Sequence, residues 1–461
     1  MKKLKLIVLF LLTVLVTQAQ RKYELTVKEA VDLAFANVID VKNAQVDYDI
    51  QKAQNNEITG LAYPQITGSV QANHYLKLPA ILFPNATSTA VYQILKNEGV
   101  SGTNGPITNV PDPTTSEVSF QQPWNLAAGA TLTQLLFEPD VFVGLQARKT
   151  ALGLSSARLE EVKEKVKDSA YKKYYAVLIV QKQLDLLEVG LNRLRKLYHD
   201  DSLMFVNGFA ERLDLDKVQV QLNNLTTQRN MVANAIDLSM ASIKFSLGLS
   251  QQDTVVLKED LSTANIRENL LDNNFRYEDR PEIRTLGYAR KMQELDVKRY
   301  KLGFVPTVSA VGNYSYNGMG QHFYSNSSTI WINSSFVGLN MNIPIFDGFQ
   351  RKYKTEQARL KLKQVDNNIV NMKQVIDLQQ VAAKDVLVTN LNNLDIQEKN
   401  MDLAEKVFNA TAKKQQAGVG SSFEVIQSEL DLQTAQSNYF TALYNAVIAK
   451  ISYLQSLGRL Q

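Results

Sequence analysis

The chain has 461 residues, 45% hydrophobic and 21% charged, an ordinary balance for an ordered protein and enough length for two to four domains. Fifty Lys and Arg against 46 Asp and Glu give a net charge of +4, so no nucleic acid or other polyanion is implied as a partner. There is no cysteine, and His74, His199 and His322 lie far apart; with no phosphate-cradling glycine loop either, disulfides and thiol chemistry are excluded and no metal, cofactor or enzymatic activity is expected.

Residues 1–19 read as a signal peptide. Lys2, Lys3 and Lys5 precede an apolar run from Leu6 to Val16, broken only by Thr13, and Thr17 and Ala19 are spaced for cleavage before Gln20. The run is shorter than the roughly 20 residues a spanning helix needs. Its removal would leave 47 basic against 46 acidic residues.

A helical stretch from Lys28 to Gly60 comes next and stops near Pro64. Beyond that proline the chain alternates, with Ile66, Gly68, Val70 and Ala72 on one side and Thr67, Ser69, Gln71 and Asn73 on the other, which predicts a strand. A segment rich in Pro, Gly, Asn and Thr, within Leu76 to Trp124, reads as an exposed loop. The following "TLTQLLFEPDVFVGLQARK" passes from a second strand into a helix from Val141 to Asp200, about 90 Å long at 1.5 Å per residue. Val177, Val180, Leu184, Leu187, Leu191, Leu194 and Tyr198 form a heptad-like seam, resumed after Gly208 by Leu215, Val218, Leu222 and Leu225.

The sequence then repeats itself. Arg284 to Gly303 is helical, Pro306 aligns with Pro64, and Val308, Ala310, Gly312 and Tyr314 share one strand face. "NIPIFDGFQ" repeats the strand-to-helix passage, with alternation through Leu339, Met341, Ile343 and Ile345 and with Phe346 aligned on Phe137. Gly418 matches Gly208 and Gly458 matches Gly248, and Val425, Ser428, Leu432 and Ala435 take up the second seam. The offset falls from 242 at the prolines to 209 at the phenylalanines, which places a 33-residue insertion within Leu76–Trp124 of copy one. The predicted organisation is a first repeat over 20–250 (strand hairpin about 64–137, extracellular loop about 76–124, helices about 140–250), a linker over 251–280, and a second repeat over 281–461 (hairpin about 306–346, helices about 347–458).

No Lys, Arg, Asp or Glu occurs from Leu302 through Phe346, where average usage would place roughly nine, and Ile58–Leu76 and Val118–Phe137 are equally bare. Tyr75, Trp124, Tyr314, Tyr316, Phe323, Tyr324 and Trp331 are suited to a membrane-interface girdle. A neutral soluble sheet would satisfy one such stretch; two at equivalent places favour a bilayer. Beyond the signal segment no stretch is apolar enough for a spanning helix, and strands cross lipid only in a closed barrel. Four strands cannot close one, whereas twelve from three chains leave a water-filled lumen.

"LTVKEAVDLAFANVIDVKNAQ", "RPEIRTLGYARK", "IPIFDGFQRKYKTEQA" and "AGVGSSFEVIQSELDLQTAQ", in this order, resemble the TolC-type outer-membrane efflux family over about Tyr23 to Gly458. The resemblance implies a mainly α fold with a membrane β-barrel portion: a duplicated helix-strand-strand-helix unit whose long coiled-coil helices form a helical barrel. Its four strands per chain complete a shared twelve-stranded barrel in a homotrimer. It implies an exit duct in outer-membrane lipid, with a large periplasmic portion, that docks a periplasmic adaptor and an inner-membrane pump in an efflux or type I secretion system. A trimeric coiled-coil adhesin-like surface protein is the alternative; against it, the chain enters its strand region twice.

The resemblance also suggests site residues. Pro64, Pro306, Pro344, Asp347 and Gly348 mark the barrel-to-helix junctions, Asp347 reading as a plain helix cap. The turns with Gly208, Arg212 and Asp214, and with Gly418 and Ser421, correspond to the adaptor-docking tip or are simple hairpin turns. Where the family has two acidic residues three apart at its pore aperture, this chain has Glu424 and Gln427, and Asp431 lies a further turn along the same face. Glu424 and Asp431 line a constriction or are solvated flanks of the seam.

Overall fold

The computed structural model describes residues 21–259, 266, 275–322 and 329–460. The signal segment, most of 260–274 in the linker, and Phe323 and Tyr324 lie outside the described residues. Copy one runs through β1 (Lys22–Leu25), α1 (Val27–Asn37), α2 (Ile39–Leu61) and β2 (Gln65–His74). Its insertion follows, with β3 (Ile81–Asn85), α3 (Thr87–Asn97), β4 (Ser101–Gly102), β5 (Gly105–Pro106) and β6 (Thr114–Val118). Then come β7 (Trp124–Phe137), α4 (Pro139–Val206), α5 (Arg212–Ser246) and β8 (Thr254–Leu257). Copy two comprises a single 3-10 turn (Tyr277–Asp279), α6 (Pro281–Leu302), β9 (Thr307–Gly320), β10 (Ile330–Asn342), α7 (Gln350–Gln416) and α8 (Ser422–Ser456). No described helix is long and apolar enough to cross a membrane.

The chain divides into two compact units. One holds 55–146 and 298–355, the other the remaining segments. The first unit is built on a four-stranded antiparallel sheet ordered β10-β9-β7-β2, so β2 and β10 are its edges. Its insertion is more than a loop: β3 pairs antiparallel with β6, and α3, which has no buried residue, lies between them.

The helical unit has several apolar cores because long helices bury one narrow stripe at a time. Val27, Ala30, Val31 and Ala34 of α1 pack with Ala170, Tyr174 and Val177 of α4, Ile243 of α5 and Val255 of β8. A second core joins Leu187, Leu191, Leu194 and Leu197 of α4 to Val218 and Leu225 of α5, Phe408 of α7, and Val425 and Leu432 of α8. These are largely the predicted seam positions. Helix α1 starts with a capping box, the Thr26 hydroxyl accepting from Glu29 N while the Glu29 carboxylate accepts from Thr26 N. The single helix expected from Lys28 to Gly60 is instead broken at Val38, whose backbone is extended (ψ 130).

That break is where copy one closes on itself. The turn after α5 brings Gly248 against Asn37, and a Cβ at Gly248 would sit 2.8 Å from the Asn37 carbonyl carbon. Copy two repeats the contact at equivalent positions: a Cβ at Gly458 would lie 2.9 Å from the Asp279 carbonyl oxygen. The neighbouring Arg280 is buried and binds the Ser456 carbonyl and the Glu282 carboxylate.

Candidate channel wall and helical tip

Register gives the sheet two chemically different faces. Ile66, Leu132, Gly312 and Val337 form one row across it, and Val70, Ala128 and Tyr316 share that largely apolar face. The opposite face carries the row Ser69, Gly129, Ser315 and Ser334, with Thr67, Thr131 and Asn313 beside it. There Asn313 donates to the Thr131 hydroxyl at 2.9 Å, and the Ser315 and Ser334 hydroxyls are 2.8 Å apart. Aromatic pairs cluster at one end of the sheet, His74 stacked on Trp124 (4.2 Å between centroids) and Tyr316 on Trp331 (4.8 Å).

The two copies leave the sheet differently. Pro64 and Pro306 directly precede β2 and β9. In copy one only Glu138 separates β7 from α4, whose first residue is Pro139. In copy two β10 ends at Asn342, not at Ile345 as the alternation suggests. Pro344 explains the early stop: it offers no N–H to a ladder and restrains the residue before it. The chain then turns through Gly348 (φ 64) and Phe349 (φ 66); a left-handed conformation costs a non-glycine residue about 1–2 kcal/mol. Asp347 secures the start of α7, its Oδ2 accepting from Arg351 N at 3.0 Å.

Both helical hairpins turn through the same motif. Gly208 (φ 77) and Gly418 (φ 73) adopt the left-handed conformation that glycine alone reaches without cost. Phe209 N reaches back to the Met204 carbonyl, and Val419 N to that of Lys414. Helix α8 is capped by the Ser421 hydroxyl, which accepts from Glu424 N. Helix α5 starts at Arg212, ahead of the expected Asp214, and Asp214 instead pairs with Lys217 in its first turn. Arg212 is exposed and pairs with Asp216. Val206, Phe209, Val419 and Phe423 lie exposed around the two turns. Glu424, Gln427 and Asp431 are all exposed on α8, and Gln427 donates to Asp431 Oδ1 at 3.1 Å.

Two buried carboxylates were not anticipated. Glu429 of α8 is 4% exposed in its side chain and accepts two parallel bonds of 2.9 Å from Arg193 of α4, whose guanidinium lies 5.0 Å from the Phe408 ring centroid. Burial outweighs the guanidinium and raises the Glu429 carboxyl above its usual range. Asp201, near the end of α4, is fully buried, and Gln415 and Ser422 both donate to its Oδ1. A signal was available for both: Asp201 stands three residues past Tyr198 on the seam, and Glu429 adjoins Ser428.

The chain resembles known proteins in both sequence and fold. A family model described as outer membrane efflux protein matches residues 278–459. The match covers the second repeat. The alkaline protease secretion protein AprF of Pseudomonas aeruginosa is 22% identical over 346 residues, covering 72% of this chain and 68% of AprF. Outer membrane protein TolC of Vibrio cholerae is 17% identical over 340 residues, covering 73% and 77% of the two chains. Among solved structures, CusC, whose crystal structures were described in terms of transmembrane channel formation, superposes with a TM-score of 0.71 at 14% identity, over 94% of this chain and 91% of CusC. The sequence relatives and the fold thus point the same way, to outer-membrane efflux and channel proteins of the TolC type.

Proposed function

We propose that three copies of this chain close their sheets into one twelve-stranded barrel, and that the resulting channel is the passive exit duct of a tripartite efflux or type I secretion system. The two-faced sheet with unpaired edges carries this reading. Strand direction alternates across β10-β9-β7-β2, so β10 of one copy meets β2 of the next as another antiparallel pair, with the apolar face toward lipid and the polar face toward the lumen. Apolar residues exposed along α5 (Val220, Met231, Leu238) and α7 (Val381, Val388, Leu403) support lateral contact between copies in the helical part.

The tips around Gly208 and Gly418 are proposed to dock a periplasmic adaptor and, behind it, an inner-membrane pump, with Arg212, Asp214 and Ser421 shaping the turns. Three-fold symmetry would turn Glu424 into a carboxylate ring, with a second at Asp431; both side chains are exposed as a lumen-facing role requires. The two named relatives differ, one a protease-secretion protein and the other TolC, so the duct is proposed without its cargo.

Mass measurement in detergent combined with planar-bilayer recording tests the proposal. A trimer carrying open-channel current supports it, and a non-conducting rod overturns it. Divalent block lost in Glu424→Gln alone assigns the constriction to Glu424, loss in both Glu424→Gln and Asp431→Asn establishes two rings, and wild-type block in both refutes the aperture assignment. Charge reversal at Arg212 should lower adaptor crosslinking without lowering trimer yield.

A further inference from the structure

One buried carboxyl at the tip end of the helical unit has no cation paired with it among the described residues. Asp201 Oδ1 accepts from Gln415 Nε2 at 3.0 Å and from Ser422 Oγ at 3.0 Å, and Gln415 also donates to Ser422 Oγ at 2.9 Å. Gln415 closes α7 and Ser422 opens α8, so this triangle ties the α4–α5 hairpin to the α7–α8 hairpin just behind both turns. Oδ2 of Asp201 is buried with no hydrogen-bond partner among the described residues. A carboxylate sealed away with one oxygen unpaired is costly, in contrast to Glu429, which has Arg193.

The charged groups bearing on Asp201 make this worse. Asp200 on its own helix and Asp214 on α5 are both acidic, while α7 and α8 present the neutral Gln415 and Ser422. Burial first, then Asp214 and Asp200, raise the Asp201 carboxyl's hold on a proton, against the two donated bonds. A carboxyl raised in this way favours the closed arrangement when protonated. That contribution is complete in acid and is lost as pH rises through the titration of the closed form.

We propose that the Asp201–Gln415–Ser422 triangle is a latch between the two hairpins, fastened when Asp201 carries a proton and released when it ionises and seeks water. As a regulator of export it rests on the reading of the tip as the channel entrance; as a latch within one chain it does not. Opening it hydrates both carboxylate oxygens and frees the first turn of α8, which carries Glu424, from the last turns of α4.

The chain lacks cysteine, so cysteines introduced at the exposed Phe209 and Val419 can be spin-labelled without background, and labelled chains diluted with unlabelled ones report the within-chain distance between tips. The expected result is a narrow distribution in acid that gives way to a longer, broader one with a single midpoint as pH rises. Asp201→Asn, a neutral isostere that still accepts through its carbonyl, loses the midpoint and stays narrow throughout. Ser422→Ala removes a donor to the ionised form and moves the midpoint to higher pH. A wild-type distribution indifferent to pH, or a midpoint retained in Asp201→Asn, overturns the latch. Conductance following the same midpoint supports its regulatory role; an intact latch in a protein that forms no channel supports the latch and refutes the exit duct instead.

Discussion

Replacing Arg193 by methionine should open the helical unit locally, and the structure sets the size of the effect. The substitution keeps most of the apolar contact with Phe408 but leaves Glu429, 4% exposed, without either of its 2.9 Å bonds. Removing one partner of a buried pair costs about 3–5 kcal/mol. Arg193 is itself 25% exposed, so water partly replaces it, and the lower end of that range, about 3 kcal/mol, is expected. Amide exchange of α8 around Ile426 to Gln433 reads this local opening, and about 3 kcal/mol corresponds to roughly a hundredfold faster exchange. Because burial raises the Glu429 carboxyl, its protonated form favours the fold, so the penalty should grow as pH rises and fade in acid. Pairing Arg193→Met with Glu429→Leu removes the stranded charge and should restore protection to wild-type level or better. Wild-type exchange in the single variant, or no recovery in the double, would refute the reasoning.

Gly153→Ala drives a Cβ into the Tyr288 ring, and its overpacking cost of about 1–3 kcal/mol should exceed the roughly 1 kcal/mol gained in helix propensity, lowering the melting temperature. In a Tyr288→Ala background the same change should become stabilising. On the sheet, Val70→Arg puts a cation on the apolar face in mid-strand and should cost about 2–4 kcal/mol in lipid, whereas Ser69→Arg on the polar face should leave urea stability unchanged and alter ion selectivity. Asp347→Ala removes the acceptor for Arg351 N and should cost about 1 kcal/mol, seen as faster exchange confined to the first turn of α7.

What could be read beforehand was whatever repeats at short range. The alternation after Pro64 and Pro306, the heptad positions from Val177 to Tyr198 and the left-handed turns at Gly208 and Gly418 follow from local spacing, and a second copy reinforced the strands and the turns. What escaped depends on distant partners. Val38 looks like any helical residue until Gly248 arrives beside its neighbour Asn37. Asn342 through Phe346 continues an alternating pattern, and only the absent N–H of Pro344 marks where pairing stops. The Leu76–Trp124 insertion has loop composition, yet Ile81–Asn85 finds Thr114–Val118 across it. Asp201 and Glu429 show how a seam drawn from apolar residues conceals the charged residues that share it: spacing identifies the buried face but not whether a guanidinium waits on the other side.

The contacts of Gly248 on Asn37 and Gly458 on Asp279 bear on how such a chain could arise. In each copy the tail rests on its own head, so a half-length chain would already be a closed loop of structure, with its two termini at one place. Each half is then free to drift on its own, one acquiring 33 extra residues between its strands and the other a left-handed phenylalanine where its wall bends, without the partner having to follow.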